Sequence, residues 1–247
     1  ISYDHYLFDF EDRDKACRTY FANMSIIREA AERQGIPYWA YVQCGGQFNR
    51  VNKPSISYYP LEGEFFWNVN TCLAMGAKGI QYFPLIQPYG FALTPDGIDP
   101  KRSGLIAADG TTTEWYDYAK KINWQISEMD EVLMNAEHKG IIAVGEAVND
   151  TADVECLIEG NAFRELKDIQ AKGAGALIGC FDYHGKTALY VVNYDMYSEQ
   201  EISLVLDGKH KLIQISGEST DILSTDCFTF KPQKGEATLL VIEQKGE

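Results

Sequence analysis

The sequence predicts an α/β fold followed by an all-β part, and three observations carry the prediction. Over residues 1–137, apolar runs of strand length alternate with segments of helical periodicity. Those strand-like runs are apolar on both faces, as parallel strands are. Beyond residue 138 the segments become short, strand-like and separated by turns. Together they place βα units over 1–137 and an antiparallel β-sandwich over 138–247.

The elements follow in order. "ISYDHYLF" reads as a strand ending in Asp4, His5 and Tyr6. Asp12 then caps a helix whose apolar face runs Cys17, Tyr20, Phe21, Met24, Ile27 and Ala31, stopped by Gly35. "IPYWAYVQ", 36–43, is a second strand covered on both faces, followed by a helix from about Pro60 to Met75 that ends at Gly76. "GIQYFPLI", 79–86, is a third strand, and a long loop over 87–112 leads to a capping box at Thr111–Glu114. The helix after it carries Trp115, Ile122, Ile126, Met129 and Leu133 on one face. In the all-β part, hairpins are expected to turn at His184-Gly185 and Asp207-Gly208. Three parallel strands cannot close a barrel, which needs eight. The remaining units are expected from a preceding half of the barrel or from a second copy of the chain.

A net charge of −14 argues against a nucleic-acid partner. No apolar run approaches the roughly 20 residues that a membrane-spanning helix needs, so no membrane partner is expected. The six cysteines form no zinc-like spacing and read mostly as free buried thiols, so neither metal nor cofactor is expected. Phosphate-loop, GxSxG and HExxH patterns are missing. The chain opens on Ile1 inside an apparent strand, which suggests a piece of something larger. The compartment stays open: secreted or periplasmic, or cytoplasmic, in a bacterium.

The order of four segments is more specific than any one of them. "SYDHYLF", "IPYWAYVQ", "EGEFFWNVNTCLAMGAKGIQYF" and "LIAADGTTTEWYDYAKKINWQI", followed by a β-domain, resemble the C-terminal portion of (β/α)8-barrel glycoside hydrolases. The nearest likeness is to the β-galactosidase and cellulase-like clan and to glycosidases of gut bacteria, with "LAMGAKGIQYF" the most specific stretch. The resemblance implies that the three strands are the sixth, seventh and eighth of a barrel. It also implies a carbohydrate substrate, hydrolysed or merely bound at the C-terminal strand ends. The alternative is a carbohydrate-binding or scaffold protein derived from such a barrel.

Glycoside hydrolysis uses two carboxyl groups, and a barrel presents them at the C-terminal ends of its strands. Asp4 is the candidate catalytic carboxylate; His5 and Tyr6 are candidate substrate contacts, with mutual hydrogen bonding of Asp4 and His5 as the plain alternative. Where the clan places a nucleophilic Glu, the second strand offers Gln43, an amide and a candidate substrate contact to sugar hydroxyls, against a structural hydrogen bond to a neighbouring strand or loop. Either the register differs, the nucleophile comes from elsewhere, or the protein only binds sugar. Trp39, Tyr82 and Phe83 are candidate ring platforms for a pyranose, against a core role for each. Glu62 and Glu64 read as first-turn helix residues, Asp96 and Asp99 as turn residues in the long loop, and His184 and His210 as exposed turn residues.

Overall fold

In a computed structural model, residues 1–8, 13–45, 59–86, 93–94, 97–98, 104–154, 160–216 and 219–243 are described. Asp12, the loop positions Asp96 and Asp99, and Cys156 lie outside them.

Three parallel strands form the first sheet in the order β1 (Ser2–Asp4), β2 (Trp39–Gln43), β3 (Gly79–Phe83). Helix α1 (Arg13–Gln34) connects the first two and α2 (Glu62–Ala74) the second pair. The face predicted for α1 is the one that packs: Cys17, Tyr20, Phe21, Met24 and Ala31 are buried, and Gly35 closes the helix at φ +63°. Alternation along β2 sends Ala40 and Val42 into the helix layer. The other face is covered unevenly: Trp39 is 44% exposed, Tyr41 is partly buried and Gln43 is buried.

Between the strands and the remaining helices run two short strands, β4 (Leu93–Thr94) and β5 (Gly97–Ile98). Helices α3 (Glu114–Ser127) and α4 (Asp130–Asn135) follow, burying Trp115, Ile122, Met129 and Leu133. The Trp115 indole donates to Pro60 O at 3.0 Å and so pins α3 to the start of α2. The expected capping box is not formed. Thr111 donates instead to Asp109, and Thr113, the residue at the helix start, donates to Gly104 O and Leu105 O.

The antiparallel part begins with β6 (Glu137–Gly145) and a short helix α5 (Glu146–Asp150). It continues through β7 (Leu166–Ala171), β8 (Gly175–Tyr183), β9 (Lys186–Asn193), β10 (Ile202–Ser216), β11 (Ser219–Phe230) and β12 (Ala237–Glu243). In place of two separate sheets it is one seven-stranded sheet, ordered β11-β10-β12-β9-β8-β6 with β7 also on β10. The hairpin at His184-Gly185 forms as expected, both residues having positive φ, which suits a tight two-residue turn. Asp207-Gly208 makes no hairpin. It lies where the register shifts between Val205 and His210, in one long strand that pairs with β7 before the shift and β12 after it. Changing partners bends the sheet back over its own face.

Period-two alternation then builds two cores. Leu177, Phe181, Tyr190, Val192, Leu239 and Val241 face α2, while Ile178, Leu189, Val191, Leu240 and Ile242 meet Ile169, Leu204 and Phe228 beneath the curl. Helix α2 is buried along nearly its whole length, because it lies between the parallel strands and this sheet. Contact is close: a Cβ on Gly179 would lie 2.4 Å from Ala74 O. Two buried amides of α2 are matched, Asn68 donating to the Tyr20 hydroxyl at 2.9 Å and Asn70 to Gly235 O at 2.8 Å, while the Trp67 indole N–H is buried without a partner. Among the described residues no helix is long and apolar enough to cross a membrane.

Candidate functional site

The register of the parallel sheet decides which predicted residues meet. Asp4 lies beside Tyr41, and Tyr41 beside Gln81; one pleat further on, Gln43 lies beside Phe83. Side chains on adjacent parallel strands at one level point the same way, so Asp4, Tyr41, Gln43, Gln81 and Phe83 share the face opposite the helices. Tyr6 joins them, its ring stacked on Phe83 at 5.9 Å, and Tyr41 meets Phe83 edge-on at 6.5 Å. Asp4 and Phe83 are exposed.

Gln43 is buried, and its Nε2 donates to Gly45 O at 3.3 Å. Its Oε1 is buried with no hydrogen-bond partner, and so is Oε1 of Gln81. An unmatched buried amide oxygen costs about 1–3 kcal/mol. Sequence reasoning missed Tyr41 and Gln81. Counting back by two from Gln43 and from Phe83 would have found both.

Three expected contacts lie elsewhere. His5 turns into the helix layer, where Asn23 donates to its Nδ1 at 3.2 Å and its ring meets Tyr20 at 5.7 Å. Burial outweighs the nearby Asp4 carboxylate and lowers its pKa. Tyr82 stacks on Phe65 of α2 at 5.6 Å and donates to Asn123 of α3 at 2.6 Å, which places it, partly buried, on the helix side of the sheet. For Tyr82 the side follows from parity, since one residue along a strand reverses the face; His5 lies just past the end of β1. Trp39 is on the open face but at the opposite strand end, about 13 Å from Gln43 by strand rise, where it lies over Gly79.

The other carboxylates behave structurally. Glu64 Oε2 accepts from Leu61 N at 2.8 Å and Oε1 from the Tyr197 hydroxyl at 2.9 Å, a helix-start cap. Glu62 pairs with Lys234 at 2.9 Å and Lys121 at 3.5 Å; partial burial raises its pKa, but the two ammonium groups outweigh that and lower it overall. Asp109 accepts from Thr111 N, as a turn residue does. Cys44 is buried and donates to Pro84 O at 3.2 Å; burial raises its pKa and disfavours the thiolate. His184 is at the hairpin tip, and His210 bonds Asp207 within the β10 bulge. Among the described residues, Asp4 is the one carboxylate on the open face, and no His/Cys/Asp/Glu group is placed to hold a metal.

No protein-family model and no curated protein matches the sequence. Among solved structures it is similar to an α-amylase from Geobacillus thermoleovorans: 11% identity, 91% of this chain and 43% of that one, TM-score 0.46. An Anoxybacillus α-amylase matches at 14% identity, 94% of this chain and 46% of that one, TM-score 0.46. A β-galactosidase from Halorubrum lacusprofundi matches at 23% identity over 53% of this chain and 20% of that one, TM-score 0.39. The chain thus spans less than half the length of each of these glycoside hydrolases.

Proposed function

We propose that this chain supplies the ends of three parallel strands to the carbohydrate cleft of a glycoside hydrolase-like (β/α)8 barrel. The strands would be the last three of eight, the others coming from a preceding half-barrel or a second copy of the chain. The observation that carries the reading is the convergence of Asp4, Gln43 and the stacked Tyr6–Phe83 pair on one face toward the C-terminal strand ends. Stacked rings offer flat apolar surface to the C–H face of a pyranose, and the exposed Asp4 carboxylate offers an acceptor to its hydroxyls. Asp4 would be the carboxylate that meets the reacting sugar.

A second reading is favoured by the chemistry of the same face. Hydrolysis uses two carboxyl groups, and the described residues place one there, with an amide at Gln43. A protein that binds saccharide without cleaving it needs only the rings and an acceptor.

Hydrolysis of aryl glycosides and binding of oligosaccharides by the purified protein test both. The expected result is saccharide binding that Phe83→Ala weakens about tenfold, the loss of roughly one ring contact. If there is turnover, Asp4→Asn should abolish it. Turnover that survives Asp4→Asn sinks the catalytic assignment, and binding without turnover selects the second reading. The absence of any saccharide binding overturns both.

A further inference from the structure

At the end of the parallel sheet opposite Gln43, a pocket of about 310 Å3 opens between α1, the turn before β2, the α2–β3 turn and the start of β6. Its walls include Arg28, Glu32, Ile36, Lys78 and His138. Arg28 is 5% exposed. Its guanidinium donates to Glu32 Oε1 and His138 Nδ1, each at 3.3 Å, and to Ser25 Oγ at 3.4 Å, while its Nε–H is buried without a partner. Lys78 Nζ donates to the carbonyls of Leu133 at 2.5 Å and Ala136 at 2.6 Å, and burial lowers its pKa.

The lining pairs two cations, Arg28 and Lys78, with two carboxylates, Glu32 and Glu137, but they differ in burial. Two cations line the pocket, and the carboxylate facing Arg28 is half in water, where its attraction is screened. Glu137 is well exposed and pairs with Lys139 at 2.6 Å. His138 accepts at Nδ1 from Arg28 and contributes no negative charge. In a protein of net charge −14, a concave site whose cations are more buried than its carboxylates is a local exception. Its volume falls at the lower end of the range for small-ligand sites.

We propose that this pocket binds a small oxyanion, a phosphate or a carboxylate, held by the charges of Arg28 and Lys78. A guanidinium with an unmet N–H suits an oxyanion, and a lysine ammonium adds a point charge without demanding one geometry. The site is separate from the open sheet face, so it stands or falls independently of the carbohydrate reading.

Titration calorimetry and thermal unfolding with sodium phosphate and with sodium acetate, each against sodium chloride of equal ionic strength, test it. One saturable site and a raised Tm are expected with at least one of the two, and which one identifies the class. Lys78→Met should weaken binding about tenfold or more, as should Ile36→Glu, which adds a repelling carboxylate at an exposed position on the rim. Because Ile36→Glu leaves the buried network untouched, it decides the matter if Lys78→Met does not fold. No saturable binding of either anion, or binding that a folded variant leaves unchanged, overturns the proposal.

Discussion

Arg28, on α1, donates from Nη1 to Nδ1 of His138 at the start of β6, 110 residues away, over 3.3 Å. A guanidinium can only donate, so Nδ1 must be the acceptor and the imidazole proton must sit on Nε2, which donates to Ala74 O at 3.1 Å. One neutral ring thereby ties α1, the end of α2 and the antiparallel sheet together. Burial, then the neighbouring Arg28 charge, pushes its pKa down from 6.5 to about 3.

That shift predicts acid sensitivity. The unfolded chain takes up the His138 proton as pH falls through 6.5, whereas the folded chain resists until about 3. His138 therefore favours folding fully above that window and progressively less within it, by up to about 1.4 kcal/mol per pH unit. Urea unfolding midpoints of the protein and of His138→Gln, measured across this window, should converge as pH falls. A difference that stays constant would refute the assignment.

Gly76 admits that ring. Its φ is +92°, and a Cβ there would lie 3.0 Å from the His138 side chain. Gly110 has a similar φ of +87° with nothing near. Gly110→Ala should cost about 1 kcal/mol for backbone strain alone, and Gly76→Ala at least about 1 kcal/mol more for displacing the ring. Denaturant titration of both variants isolates the second term.

Tyr190 joins β9 to α2 by donating to Asn70 Oδ1 at 2.7 Å in a fully buried setting. Tyr190→Phe keeps the ring but leaves that oxygen unmatched, so a loss of about 1–3 kcal/mol is expected in thermal or urea unfolding. A neutral result would mean that the amide finds another donor.

Glu64 distinguishes a cap from a catalyst. Glu64→Gln removes the charge from the first turn of α2 and exchanges one acceptor for a donor, which should cost about 1 kcal/mol of stability. Any saccharide binding or turnover should remain within about twofold, since the side chain is held by Leu61 N and Tyr197. A selective loss of turnover with stability intact would instead place Glu64 in the site.

The periodic part of the fold was readable before any coordinates. Cys17, Tyr20, Phe21 and Met24 recur at helical spacing, and Gly35 and Gly76 stand where α1 and the α2 turn end. Two local signals misled, because each residue has a use that its neighbours in sequence do not disclose. Asp207-Gly208 has the chemistry of a hairpin but serves a bulge in β10, and Thr111 has the chemistry of a cap but serves the Asp109 turn. At the site, residue types were legible and their side was not. His5 and Tyr82 look like Tyr6 and Phe83 on paper, yet each points into the helix layer.

By itself, the sequence determined the first three strands and the two helices between them, the parallel-then-antiparallel order and the residue types at each strand end, since all of these depend on local spacing. Only the tertiary structure decided the rest: that Asp4, Tyr41, Gln43, Gln81 and Phe83 share a face, that α2 is enclosed, and that Arg28 meets His138. Strand register and the packing of distant elements are set by which apolar faces can be buried together, a condition on the whole chain that no local stretch contains.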